Sequence, residues 1–215
     1  MARASKDAAY PLVTSGETAV PEEQLQLAVI VGSVRDGRLG PTVAAWIAGQ
    51  ARERDDWIVD VIDLAGIDLP MVLPDFGGTP TPAAAQALAT LTPHLERAEA
   101  FVVVTPEYNH SFPASLKNAV DWHNRQWHTK PIAFVSYGSI SGGLRAVEQL
   151  RLVFAELHAV TIRDTVSFQH AWAQFDADGT PTDPDACTAA KIMLDRLDWW
   201  ARTLREGRAA RPYSA

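Results

Sequence analysis

The sequence predicts an α/β fold: five parallel strands in the order 2-1-3-4-5, with helices covering both faces of the sheet. Three observations carry this expectation. Short apolar runs alternate with helix-period segments along residues 25–205. The runs at 25–31, 100–104 and 131–137 are almost unbroken, as strands buried on both faces are. A helical segment lies between successive strands, and parallel strands need such right-handed crossovers.

The elements follow in order. Residues 25–31 read as a strand interrupted only by Gln26. Residues 43–54 read as a helix with Val43, Trp46, Ile47 and Ala51 on one face. A second strand is predicted over 57–64, then a long loop over 65–82 rich in Gly and Pro. Helical composition covers 83–97, where Pro93 is expected to kink or restart the helix. The third strand is 100–104, and the third helix runs from about Pro113 to Arg125, with Leu116, Ala119, Val120 and His123 at helical spacing. The fourth strand is 131–137. A helix over 143–158 places Leu144, Val147, Leu150, Phe154 and Leu157 on one face, and a fifth strand at 161–168 carries Asp164, which marks an edge. Turn signals fill 176–185. The last helix has Cys187, Ala190, Leu194, Leu197, Ala201 and Leu204 in one stripe. A strand order of 2-1-3-4-5 is the flavodoxin-like, three-layer α/β/α arrangement, with a topological switch between strands 1 and 3.

Composition narrows the function classes. The chain has 215 residues, 47% of them hydrophobic and 21% charged, which suits one α/β domain with tails. Its 19 basic and 26 acidic residues give a net charge of −7, and no basic run occurs, which argues against nucleic-acid binding by phosphate neutralisation. Cys187 is the single cysteine, so no intrachain disulfide or thiolate metal cage is possible, as befits a cytoplasmic protein. No apolar run reaches the roughly 18 residues of a membrane span. Residues 1–24 lack an apolar signal core and read as a flexible arm, and 206–215 read as a tail. His110, His123 and His128 lack the spacing and carboxylate company of a metal centre.

In this topology the loops after strands 1, 3 and 4 converge on one crevice, and they hold the three unusual segments of the sequence. The first, from Gly32 to Pro41, follows a strand and precedes a helix. Its backbone N–H groups, the hydroxyl of Ser33 and the guanidinium groups of Arg35 and Arg38 suit an anion. The loop lacks both G-x-G-x-x-G and G-x-x-x-x-G-K-[ST], so a dinucleotide or triphosphate fingerprint is absent, and a phosphate monoester fits better. The second segment runs from Thr105 to Trp122, where Pro106 stiffens a polar and aromatic turn. The third, from Val135 to Arg145, contains Gly142-Gly143, which permits close backbone approach to a flat ligand.

The second segment closely resembles the flavin-binding segment of the NADPH-dependent FMN reductase family, whose pattern is roughly PEYN-x-S-x-P-x-x-LKNA-x-DW. The first loop is similar to that family's GS-x-R-x-x-S/R pattern through Ser33 and Arg35; Arg38 matches less directly and can instead reach solvent or a neighbouring subunit. The third is similar to its S-x-G-x-x-G-G-x-R loop. The resemblance spans about residues 25–204. It implies a cofactor-binding set of Ser33, Arg35, Arg38, Leu39 and Gly40 at the phosphate end, with Pro106, Glu107, Tyr108 and Asn109, and Ser136, Tyr137 and Gly138, at the flavin ring. Lys117, Asn118 and Asp121 are expected to lock the loop, Trp122 to pack in the core or at a subunit interface, and Arg145 to stabilise its own loop.

The resemblance further implies FMN as cofactor, NADPH or NADH as co-substrate, and a homodimer or dimer of dimers. The implied activity is hydride transfer from NADPH through flavin N5 to a second acceptor (flavin, quinone, azo or nitro compound) by a ping-pong cycle, with no side-chain acid or base required. Two alternatives stand beside it: a flavodoxin-type electron carrier, and an FMN reductase that supplies reduced flavin to a partner monooxygenase.

Overall fold

The most apolar runs of the chain form the middle of a single parallel sheet. The computed structural model describes residues 24–214. In chain order the elements are β1 (Leu25–Val31), α1 (Gly40–Arg52), β2 (Trp57–Asp63), α2 (Pro82–Arg97), β3 (Ala100–Pro106), α3 (Ala114–Asp121), β4 (Pro131–Tyr137), α4 (Leu144–Glu156), β5 (Val160–Phe168) and α5 (Asp185–Ala210). The order is β2-β1-β3-β4-β5, parallel throughout, as expected. Every residue of β3 and β4 is buried, whereas the edge strands β2 and β5 alternate buried with partly exposed positions.

Helices cover both faces. On one, α1 and α5 pack Val43, Ile47, Leu194 and Leu197 against Leu27, Val29, Val102 and Val135. On the other, α2, α3 and α4 bring Leu91, Leu116, Val120 and Phe154 onto Ile30, Phe101, Val103 and Phe134. Thr81 caps α2 by accepting the Ala84 N–H at 3.3 Å, with Pro82 following as its first residue. In β5, Ile132 faces Thr161 but Phe134 faces Thr165, so the edge strand bulges. Arg151 of α4 donates to the carbonyls of Ile162 at 2.7 Å and Arg163 at 3.1 Å, which satisfies backbone groups the bulge frees.

The structure corrects several expectations. α2 runs through Pro93 without restarting; Leu91 and Leu95 on either side are 1% exposed, and their packing outweighs one lost backbone bond. α3 stops at Asp121 rather than Arg125. The chain turns there to bury Trp127 against Phe101, with ring centroids 4.8 Å apart, and its Nε1 donates to His123 O. Leu144 is 46% exposed at the start of α4, whose inner face is Ala146, Val147, Leu150 and Phe154. α5 continues through Gly207 to Ala210, past the tail boundary expected at 206, and Arg208 ties it to Thr129 O at 2.5 Å. The arm expected at 1–24 lies, except for Gln24, outside the described residues.

Phe154 is fully buried, with its ring centroid 5.4 Å from Trp127 and 6.2 Å from Phe134. Phe154→Ala is therefore expected to cost about 3–5 kcal/mol of unfolding free energy in urea denaturation. A loss under about 1 kcal/mol would contradict the packing of α4 described above.

Candidate functional site

The three segments meet at the carboxyl edge of the sheet, where strand order reverses between β1 and β3. A cleft of about 640 Å³ opens there, lined by Val34 and Arg35 of the loop after β1, Glu107, Tyr108 and Asn109 of the loop after β3, and Pro113, Ala114 and Ser115 at the start of α3. That volume suits a small-molecule site. A chamber of about 360 Å³ adjoins it, sharing Val34, Ala114 and Ser115 and reaching Ile67, Leu69 and Met71. A larger cleft of about 760 Å³ lies between α1 and the turn at 176–180, but it presents Glu53, Asp176 and Asp178 with no Lys or Arg, so its chemistry is wrong for an anion.

The loop after β1 is held back from its carbonyl side. Ser115 Oγ donates to Gly32 O at 2.7 Å, and Arg38 Nη1 donates to Ser33 O at 2.6 Å. The N–H groups of Ser33, Val34 and Arg35 have no hydrogen-bond partner among the described residues, and the exposed Arg35 guanidinium has none either. Arg38 is placed differently: its guanidinium forms a two-pronged pair with Asp63 Oδ1 at 2.6 Å and Oδ2 at 2.7 Å. This pair holds the Asp63 carboxyl below the usual carboxylate range. Leu39 precedes α1 and packs on the core.

Ser33 is fully buried, and its hydroxyl meets Tyr137 OH at 3.1 Å. Burial pushes the Tyr137 phenol up to about 12. Gly40 closes over this pair: a Cβ there would stand 2.6 Å from Ser33 Oγ and 3.0 Å from Tyr137 OH, so only glycine fits. Ser33, Tyr137 and Gly40 thus form the floor beneath the loop, and none of them lines the cleft.

The loop after β3 makes a tight two-residue turn. Tyr108 and Ser111 exchange backbone bonds of 2.8 and 3.0 Å, with Asn109 at φ 49° and His110 at φ 74° between them. Two non-glycine residues at positive φ store strain, and α4 holds the turn through Gln149, which donates to His110 O at 2.7 Å and accepts from Ser111 Oγ at 2.6 Å. The Glu107 and Tyr108 N–H groups are spent on Tyr137 O and Ser111 O, so Asn109 presents the N–H without a partner among the described residues.

Glu107 is the link to the loop after β4. Its side chain is 8% exposed, and its carboxylate accepts from Ser141 Oγ at 2.7 Å, Arg145 Nε at 2.9 Å and the Arg145 backbone N–H at 3.2 Å. The last of these also caps α4, which has no side-chain cap of its own. The glycine pair of this loop faces inward: a Cβ on Gly143, at φ 87°, would meet Ser136 Cβ at 2.7 Å. The Ser136 hydroxyl is used on Gly142 O at 2.8 Å, and the Gly138 N–H on Phe168 O at 3.1 Å. Ser136, which is fully buried, and Gly138 therefore shape the loop, and Gly138 lies beside Glu107, whose Cβ would stand 3.7 Å from a Cβ placed there.

Around the site, Asn118 Nδ2 donates to Leu69 O and Pro70 O, and Trp122 Nε1 to Pro70 O at 2.8 Å, so α3 pins the long loop after β2. Lys117 pairs with Asp121 on the exposed face. His123 is 3% exposed and is engaged by Ala119 O and Thr92 Oγ1. Sequence reasoning passed over Asp63 and Gln149. A carboxylate at the carboxyl end of a strand, beside an arginine-bearing loop, was the signal that could have found Asp63.

The raised phenol of Tyr137 has a consequence for stability. The unfolded state releases this proton near 10 and the folded state only near 12. The folded-state pKa is raised, so this contribution is complete below about pH 10 and disappears as pH passes about 12. Denaturant midpoints measured across that interval are expected to fall further for the wild type than for Tyr137→Phe; parallel profiles would contradict a buried neutral phenol.

Comparison with known proteins gives the family of this chain. Residues 25–173 match the NADPH-dependent FMN reductase family. An NAD(P)H-dependent FMN reductase of Schizosaccharomyces pombe is 36% identical over 135 residues, covering 58% of this chain and 65% of that relative. The chain thus spans just under two thirds of that protein. A 2-hydroxy-1,4-benzoquinone reductase of Burkholderia is 31% identical over 189 residues, covering 84% of this chain and 98% of the relative. Among solved structures, the flavoenzyme NAD(P)H:(acceptor) oxidoreductase FerB of Paracoccus denitrificans shares the fold with a TM-score of 0.68 at 24% identity, covering 83% of this chain and 98% of that one. The match over residues 25–173, which spans the switch-point cleft, makes this chain a member of the NADPH-dependent FMN reductase family.

Proposed function

We propose that the chain is an FMN-dependent NAD(P)H oxidoreductase that passes reducing equivalents to a second small acceptor: a flavin, quinone, azo or nitro compound. The observation that carries this reading is the donor set at the cleft. Two backbone N–H groups, at Val34 and Arg35, and the Arg35 guanidinium, all without a partner among the described residues, stand next to the start of α3, which has no side-chain cap and no acidic residue in its first turn. That set fits a phosphate monoester, and the loops beside it leave room for a flat ring. The relatives named as FMN and benzoquinone reductases support the same chemistry.

When bound, FMN would supply the two-electron redox chemistry that links the nicotinamide nucleotide to the acceptor in a ping-pong cycle. The chain's own task is to bind and orient. Arg35 and the neighbouring N–H groups hold the phosphate. Glu107 to Asn109 line the side where the ring would lie, Pro106 and Ser136 to Gly138 support that wall from behind, and the Glu107 carboxylate keeps the two loops in register. The Asn109 N–H is the donor this arrangement leaves for the ring's polar rim. No acid–base side chain is needed; positioning supplies the rate. The exposed apolar residues of the loop after β2, among them Met71, Val72 and Phe76, fit a contact between subunits of a homodimer or dimer of dimers in the cytoplasm.

Anaerobic mixing of the flavin-loaded protein with NADPH, and separately NADH, tests the reading. Flavin absorbance should bleach with at least one nucleotide and return when a quinone is added. Absorbance that stays oxidised with both nucleotides would replace the reductase by an electron carrier.

A further inference from the structure

The pair between Arg38 and Asp63 is not used in the reading above. Asp63 is the last residue of β2 and pairs in register with Val31, the last residue of β1. Its carboxylate accepts both prongs of Arg38 and the Ala65 N–H at 3.0 Å. The same Arg38 Nη1 that meets Asp63 also meets Ser33 O at 2.6 Å. A chain of contacts therefore runs from the end of β2, through one guanidinium, to the peptide between Ser33 and Val34.

A peptide unit is planar and trans, so its C=O and N–H point in opposite directions. Fixing the Ser33 carbonyl on Arg38 therefore fixes the direction of the Val34 N–H. Val34 lines the cleft, and its N–H has no partner among the described residues. The geometry points to Asp63 as a positioning residue for the phosphate end of the cofactor: by holding Arg38 on the Ser33 carbonyl, it keeps the Val34 N–H turned away from Arg38 and free for a phosphate oxygen. This rests on the FMN reading above, and it gives Arg38 an indirect part. The charge of Arg38 is matched by Asp63, so Arg35 carries the net attraction for phosphate. The role needs a planar fork: a lysine at position 38 keeps the charge but cannot serve both carboxylate oxygens and the carbonyl in one fixed geometry.

The test compares two ligands that differ only in the phosphate. Flavin-depleted full-length protein is titrated with FMN and with riboflavin, by quenching of flavin fluorescence, for the wild type, Asp63→Ala, Arg38→Lys and the double variant. Both single variants should bind FMN roughly tenfold more weakly, while riboflavin affinity, which also reports an intact ring site, changes by less than about twofold. The double variant should be no worse than either single one, because both act on the same peptide. Arg38→Lys with wild-type FMN affinity would overturn the inference, since charge alone would then suffice. So would tighter FMN binding in Asp63→Ala, which would make Arg38 a direct ligand that Asp63 restrains. A wild type that binds riboflavin as tightly as FMN, with Arg35→Ala unchanged, would instead remove the phosphate reading itself.

Discussion

Glu107 carries the one charge that two of the three site loops share. β3 and β4 are neighbouring strands whose last residues, Pro106 and Tyr137, pair in register. Beyond them the Glu107 carboxylate ties the two segments together by accepting from the Ser141 hydroxyl of the far loop and from the guanidinium and backbone N–H of Arg145 in the first turn of α4. A carboxylate this enclosed is stable only while its donors are in place, because an unpaired charge there would bear the full cost of lost hydration. The tie also occupies the start of α4, so one residue joins loop geometry to helix position.

The rest of the edge follows the same logic of side chains spent on backbone. Ser115 and Arg38 hold two carbonyls of the first loop, Gln149 braces the strained turn at Asn109 and His110, and Asn118 with Trp122 hold the loop after β2. The outcome is a cleft whose open donors are few and belong mainly to the backbone. Its lining is chosen by chemistry rather than size, since the larger cleft beside α1 is acidic. Preorganisation of this kind suits a protein whose cofactor does the hard chemistry.

Much of the fold was legible because burial imposes a simple pattern. Fully buried strands such as Phe101 to Val104 must be apolar on both sides, and helices such as α5 must carry one stripe. Leu144 misled, and α2 does not restart at Pro93, because local pattern does not know where a helix meets the sheet edge or how strongly its flanks are packed. The site was legible as a set of loops but not as a set of roles. Ser33, Ser136 and Glu107 are polar residues in the right loops, yet their side chains face inward. Only three-dimensional contacts distinguish a hydroxyl that serves a ligand from one that serves a carbonyl. Asp63 lies 25 residues from Arg38 in sequence, and no local motif joins them.

The Glu107 carboxylate is the tie that couples the loop after β3 to the whole loop after β4, beyond the backbone bond at Tyr137 and the Gln149 brace from α4. Hydrogen–deuterium exchange of the amides at 107–111 and 138–145, compared between wild type and Glu107→Gln, measures this directly. Exchange is expected to rise in both segments together, while amides in β1 and α5 keep their protection. A rise confined to 107–111, with 138–145 unchanged, would contradict it.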